Sequence, residues 1–223
     1  MNFLKLGRQA LASVKRLNIK CSCVEEPLVF VFLRMCYFRL HRLKILPSRR
    51  VRIKGVNNIE TDGLVQIGMD YVGFMDRYDR TYLNVRGRLL FAGDFSVGKG
   101  CRFDVGRDAQ VILRGGFVNA NSLFVIHNYL DVGAGCAISW NCQFLDADLH
   151  EIIYEERVEE KKAGITLGAH VWVGNNVTFL KGAVIPNGCV ICANSLVNKA
   201  FEEENVLIGG SPARILRRNI KWK

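Results

Sequence analysis

The chain has 223 residues, 49% of them apolar, with 31 Lys/Arg against 21 Asp/Glu and a net charge of +10. That is enough chain for one good core, and its composition excludes a disordered polymer. The charge is lopsided: residues 1–50 hold eleven basic and two acidic residues (+9), and the other 173 hold twenty and nineteen (+1).

In chain order, the first feature is the apolar run LVFVFLRMCYFRLHRLKIL, Leu28 to Leu46. Arg34 and Arg39 interrupt it, so it makes a poor transmembrane span. No cleavable signal is read before it, because Lys5, Arg8, Lys15 and Arg16 cut the first apolar stretch. Two readings of residues 1–50 remain open. The segment either packs on the rest of the chain with its cations outward, or docks peripherally on an anionic membrane surface. Nucleic acid is not expected as a partner, since no recognised binding motif accompanies the charge.

A six-residue period dominates the remainder of the chain. Leu167, Val173, Phe179, Ile185, Ile191 and Val197 are each six residues apart, and Val171, Val177, Ala183, Cys189 and Ser195 follow the first five by four. Six is not a multiple of 3.6, so this pattern would smear around a helix, whereas one face of a strand could hold it. Gly, Asn and Pro recur between these residues too often for one continuous strand. Very short strands with a corner every six residues satisfy both facts, which is a parallel β-helix of hexapeptide repeats. Upstream the same phase runs through Val85, Phe91, Val97 and Phe103, then Val105, Val111, Phe117 and Leu123, then Val132, Ile138 and Phe144. The expected division is a basic segment (1–50), an all-β solenoid (51–200) and a short C-terminal extension (201–223).

Cys101, Cys136, Cys142 and Cys189 fall on the small inward position of a repeat, where a thiol is a compact apolar filler. The Cys189–Cys192 CxxC takes its spacing from the hexads and lacks a second pair, so no metal site is expected. A reduced, cytoplasmic protein follows from this reading. The large break in the repeat is FLDADLHEIIYEERVEEKKAG, Phe144 to Gly164, whose root carries Asp146, Asp148 and His150. A histidine beside carboxylates suits general-base chemistry, with a carboxylate fixing the imidazole tautomer.

The hexads, the DxDxH excursion, the Val171-Trp172-Val173-Gly174 repeat and the ending GGSPARILR together resemble the hexapeptide-repeat acyltransferases. The branch most similar is the sugar O-acetyltransferases, including galactoside and maltose acetyltransferases and enzymes that decorate capsular polysaccharide or lipopolysaccharide. The resemblance implies a left-handed β-helix, a homotrimer with active sites at subunit interfaces, acetyl-CoA as donor, a saccharide acceptor and no metal. It implies that His150 deprotonates the acceptor hydroxyl for direct attack on the thioester in a ternary complex. It places Asn121 at the acceptor, with Trp140, Asp146 and Asp148 in support. Trp172 falls near the thiol end of coenzyme A, and Asn175 and Ala193 along the pantetheine arm. Asn198 and Lys199 fall near the nucleotide, and Arg214 and Arg217 near the 3′-phosphate, where Arg218 adds to the basic group. Acidic FEEEN, Phe201 to Asn205, stands where the family has a Pro-rich turn, and Glu151 where a proline often follows the histidine.

The alternative within the fold is an N-acetyltransferase of a nucleotide-linked amino sugar, but residues 1–60 lack the Gly-rich βαβ pattern those enzymes carry. A γ-type carbonic anhydrase would need zinc-binding histidines close in sequence, and His127, His150 and His170 are widely spaced. With the +9 segment, the reading becomes an enzyme held at the inner membrane face to meet a lipid-linked saccharide. The sequence leaves the sugar, the hydroxyl and the acyl group open.

Overall fold

The computed structural model describes residues 14–70, 72–76, 78–150, 153–154, 157–158 and 163–223. The chain winds through three flat sheets, A, B and C, one strand of each per coil. Sheet A contains Ile45–Pro47, Val65–Ile67, Phe95–Val97, Gly116–Val118, Cys136–Ile138, Trp172–Val173, Val190–Ile191, Leu207–Gly210 and Ala213–Arg217. Sheet B runs from Val51–Lys54 to Leu196–Val197, and sheet C from Ile59–Thr61 to Val184–Ile185. Neighbouring rungs pair in parallel, as in Leu123↔Gln143 and Phe144↔Phe179. Among the described residues of these three sheets, only the last rung of sheet A turns back antiparallel, with Gly210 opposite Ala213. The architecture is a left-handed parallel β-helix.

Each strand offers only two to five residues, so stability must come from stacking coil on coil. Inward residues of equivalent rungs sit above one another at the strand spacing of about 4.8 Å. Phe103, Phe124, Phe144 and Phe179 form one continuous stack, with centroids 4.1, 4.6 and 4.8 Å apart and rings within 17° of parallel. Cys101, Cys136, Cys142 and Cys189 are buried and unpaired. Burial pushes the Cys101 thiol up to about 12 and those of Cys136 and Cys142 to about 11.

Three expectations need correction. Phe117 and Leu123 do not point inward: Phe117 is 44% exposed, and Val118 and Phe124 fill the core instead. Pairing shows why. Phe91 faces Leu113 and Phe95 faces Gly116, so the corner after Leu113 is one residue shorter than its predecessor and the phase moves by one. A Cβ on Gly116 would lie 2.1 Å from the Cys136 carbonyl oxygen, so only glycine permits the short corner. Second, the solenoid begins at Ile45–Pro47, inside the expected N-terminal segment, because this strand is the first rung of sheet A, paired to Val65–Ile67. Third, residues 201–223 are not separate from the sheets, since Leu207–Gly210 is the rung after Val190–Ile191. A second excursion, residues 68–80, interrupts the repeat between sheets A and B.

The basic segment is helical over residues 14–23 (α1) and Leu28–Leu40 (α2). Phe38 joins the main core, while Cys21, Val24 and Val31 pack on Leu46 and Met69. Arg34 turns inward and donates to the carbonyls of Ser48, Arg49 and Val51 at 2.7–2.9 Å, which fixes α2 to the first coil. No helix among the described residues is long and apolar enough to cross a membrane.

The thiols give a direct check. In the native protein Cys23 and Cys36 react fast with a thiol reagent, Cys192 more slowly, and the buried five only after denaturation. The raised pKa values also set a sign. Unfolded thiols ionise from about pH 8.5 while Cys101, Cys136 and Cys142 stay protonated in the fold, so stability is full below that pH and falls as pH rises toward 11–12. Thermal melts across pH 8 to 11 measure this, and Cys142→Ala should flatten the fall.

Candidate active site

Two edges of the solenoid carry the candidate residues. The edge between sheets A and B is a ladder of asparagines in the left-handed region: Asn121, Asn141, Asn176 and Asn194, with φ of 57–59°. Asparagine tolerates this conformation better than any other residue with a long side chain. The ladder is locked vertically by N–H donations from Asn121 to Lys99 O, Asn141 to Ala120 O, Asn176 to Trp140 O and Asn194 to Asn175 O, at 3.0–3.1 Å. Gly100 lies under Asn121, whose Oδ1 would be 1.9 Å from a Cβ there. The same bonds put Ala120, Trp140, Asn175 and Ala193 in a second column, one rung apart. Three residues picked from sequence, Trp140, Asn175 and Ala193, are thus consecutive in space. Trp172 is 44% exposed on the outer face of sheet A and pairs with Ala137 and Val190.

Ser195 Oγ, at the next level, accepts from Gly210 N–H at 3.2 Å. There the edge opens into a cleft of about 440 Å³ lined by Lys199, Gly209, Gly210, Ser211, Pro212, Ala213, Arg214 and Leu216. Lys199 and Arg214 also share a second cleft with Phe201, Glu202 and Glu203. The structure therefore brings Lys199 and Arg214 together on the same clefts. Asn198, exposed, precedes Lys199. Arg217 pairs its backbone with Leu207 and does not line either cleft. Arg218, exposed, forms a bidentate pair with Glu203 at 2.6 and 2.9 Å. That pair raises the guanidinium pKa and lowers that of the carboxyl through the shared hydrogen bonds. Glu204 accepts from Asn187 Nδ2 at 2.6 Å. Two glutamates of FEEEN are thus engaged in holding the tail and a corner, so the acidic run does not set three free charges against an anionic ligand.

The edge between sheets B and C carries the first excursion. Its sheet B strand ends at Leu145 and sheet C resumes at Ile165, with a short antiparallel ribbon pairing Ile153 with Val158 in between. Glu151 lies outside the described residues. Asp146 is fully buried, and its carboxylate accepts from the backbone N–H groups of His127, Asn128 and Tyr129 at 2.7–2.8 Å. Its carbonyl accepts from Ala163 N–H at 3.1 Å, pinning both ends of the excursion. Asp148 pairs with Lys181 at 2.7 Å. Asp146 thus satisfies a buried corner, and Asp148 holds a lysine. They shape the root from which exposed His150 projects.

The sequence reading missed the excursion 68–80. Its Phe74 meets Trp140 edge-on, centroids 5.4 Å apart. Beside it Asp70, Val72, Ser96, Phe117 and Asn119 line a hollow of about 210 Å³. Asp70 bonds the Ser96 hydroxyl and Lys20, the latter at 3.1 Å. The hexad phase could have exposed this excursion, since Ile67 and Leu83 are sixteen residues apart where six would serve. Trp222 was also missed: it stacks on His170 at 4.0 Å and donates from Nε1 to His170 O. His170 is held there, on the edge between sheets C and A. Among the described residues, no three metal-ligating side chains gather.

A parallel β-helix broken by two excursions is the fold of an acyltransferase of the hexapeptide-repeat class. The comparisons agree, and the chain belongs to this family. It is 33% identical over 94% of its length, and 97% of the relative's, to an uncharacterized 24.8 kDa protein in the cps region of Klebsiella pneumoniae. Shorter matches are 38% identity to a polysialic acid O-acetyltransferase of Neisseria meningitidis, covering 42% of this chain and 44% of that protein. WbbJ of Escherichia coli K12, a protein assigned as a lipopolysaccharide biosynthesis O-acetyl transferase, is 41% identical over 26% of this chain and 29% of its own length. Among solved structures, the polySia-specific acetyltransferase NeuO shares the fold, with a TM-score of 0.51 at 19% identity over 81% of this chain and 78% of that one. No family model matches the chain.

Asp146 and His150 should separate cleanly. Asp146→Ala strands three N–H groups at about 1–3 kcal/mol each, so its melting temperature should drop sharply. His150→Ala, at an exposed position, should melt within about 0.5 kcal/mol of wild type. Differential scanning calorimetry of both variants checks this.

Proposed function

We propose that this chain O-acetylates a sugar hydroxyl of a capsular polysaccharide, lipopolysaccharide or related saccharide, with His150 as general base. The observation that carries the reading is the column Trp140–Asn175–Ala193 running into the cleft of Lys199 and Arg214. An extended, uncharged pantetheine arm suits the column, where corner backbone groups and small side chains allow close approach. Phosphates suit the cations at its end, where a guanidinium supplies planar paired donors and an ammonium a compact charge.

His150 accepts the acceptor hydroxyl proton as the sugar oxygen attacks the thioester carbonyl. The new C–O bond forms, the C–S bond breaks, and the thiolate leaves as coenzyme A after taking up the proton. No acyl-enzyme is needed, and the buried thiols, held protonated, are poor nucleophiles.

The acceptor side of the site is Asn121, Trp140 and the hollow beside Phe74, where aromatic faces and amide groups suit a sugar ring. Within one chain these residues lie on the opposite edge of sheet B from His150. The reading therefore requires a second copy to bring one chain's His150 to its neighbour's Asn121, and a homotrimer provides three such sites. The free cysteines suit a reducing cytoplasm, with the basic segment resting at the inner membrane face.

Turnover of acetyl-CoA with a panel of saccharides and nucleotide-sugars tests the function. His150→Ala should lose roughly 10²–10⁴-fold in kcat with little change in coenzyme A affinity. Full activity in that variant would remove His150 from catalysis, and an amino-sugar acceptor would replace O- by N-acetylation. Lys199→Ala and Arg214→Ala should each raise the KM for acetyl-CoA about tenfold or more, with Arg218→Ala much less affected. Co-refolded His150→Ala and Asn121→Ala chains should regain activity that neither has alone. Absence of rescue would place both residues of a site in one chain.

A further inference from the structure

Among the described residues, a run of exposed large apolar side chains lies on α2. This helix reads LVFVFLRMCYFRL and is apolar nearly all round, with Arg34 and Arg39 its only charges. A helix of that kind is ordinarily covered on every side. Here the described chain buries only Val31 and Phe38. At about 100° per residue, Cys36, Val29, Leu40, Leu33, Tyr37 and Phe30 fall in one arc of about 120° opposite that buried pair. Along it Val29 is 67% exposed, Phe30 52%, Leu33 58%, Tyr37 49% and Leu40 85%. A contiguous patch of large apolar residues facing water marks an interaction surface.

Charge selects the occupant. Residues 1–50 carry +9 of the chain's +10. Arg34 spends its charge on backbone carbonyls, but Lys15, Arg16, Arg39 and Arg42 are exposed around the helices. A second copy on this face would set two such segments against each other, whereas an anionic surface neutralises them. Length selects the geometry: 13 residues span about 20 Å, short of the ~30 Å hydrocarbon core, so the helix fits in the plane of the interface and not across it. The fixed attachment suits docking too, because Arg34 bolts α2 to the first coil.

We propose that the Val29–Phe30–Leu33–Tyr37–Leu40 face of α2 is a docking surface for an anionic lipid bilayer, with the apolar arc in the headgroup–acyl boundary and the flanking cations on lipid phosphates. The geometry adds a consequence for the acceptor. Lys20 of α1 bonds Asp70 at the root of the excursion whose Phe74 meets Trp140, so the helices at the first coil are tied to the segment that reaches the acceptor edge. A saccharide carried on a lipid would be presented from that side. The docking itself does not rest on the acyl-transfer reading.

The test is flotation of the full chain with vesicles of phosphatidylcholine containing about a quarter phosphatidylglycerol, and with phosphatidylcholine alone. Wild type is expected to float with the anionic vesicles at low salt and to be released progressively by salt. Leu33→Asp combined with Tyr37→Asp should cut the bound fraction about tenfold or more. Arg39→Glu with Arg42→Glu should weaken it while leaving the apolar face intact. Both double variants should keep the wild-type melting temperature and affinity for acetyl-CoA, which separates lost docking from lost fold and from failure of the enzymatic reading. Wild-type protein that stays at the bottom with anionic vesicles overturns the proposal. So does a Leu33→Asp/Tyr37→Asp variant that floats normally but sediments as a smaller assembly, since a second copy then covers the face.

Discussion

Everything in this molecule depends on strands being stacked in parallel, in register, one coil above another at about 4.8 Å. No strand here is long enough to be stable by itself, and sheets of two- and three-residue rungs persist only because every inward side chain meets its equivalent above and below. The stacked rings of Phe103, Phe124, Phe144 and Phe179 show the constraint at its most demanding. The thiols at the small inward positions meet the same demand with less volume. Register carried in this way makes the outer edges regular as well, so residues twenty or thirty apart in sequence become neighbours at a fixed spacing.

That regularity is what the site exploits. Corner residues one coil apart form columns, and the column through Trp140, Asn175 and Ala193 is a straight strip along the axis. Departures from the repeat supply what a strip cannot. The excursion rooted at Asp146 raises His150 above one edge, and residues 68–80 bring Phe74 over Trp140 on another. The two excursions leave from opposite edges of one sheet, sheet B. Asp146 illustrates the division of labour: a carboxylate four residues before His150 serves the backbone and anchors the root from which the histidine projects.

The ends of the solenoid carry the remaining chemistry, because an end has no further coil to cover it. At the C-terminal end the antiparallel return of Ala213–Arg217 leaves a cleft beside Lys199 and Arg214. At the N-terminal end two helices close the core, tied down by Arg34 and by the packing of Val31 and Phe38. The same closure leaves their outer surface apolar and ringed by cations. The Lys20–Asp70 contact ties α1 to the root of the excursion 68–80.

The sequence by itself determined the architecture, because a six-residue period of apolar residues with Gly, Asn and Pro at the corners has only one solution that keeps them all on the inside. The break in the repeat marked His150, and the resemblance to the hexapeptide-repeat acyltransferases, not the period, singled out Trp140, Asn175, Ala193, Lys199 and Arg214. What the sequence could not supply was any relation that crosses coils outside that period. The one-residue shortening at Gly115–Gly116 turned Phe117 and Leu123 outward, a shift visible only when partner strands are aligned. The partners of Asp146, Asp148 and Arg218 were decided by where loops and tails return, over separations the hexads do not encode. Phe74 on Trp140 and the bare face of α2 belong to the same class. Periodic contacts are written locally and can be read, whereas aperiodic contacts exist only once the chain has closed on itself.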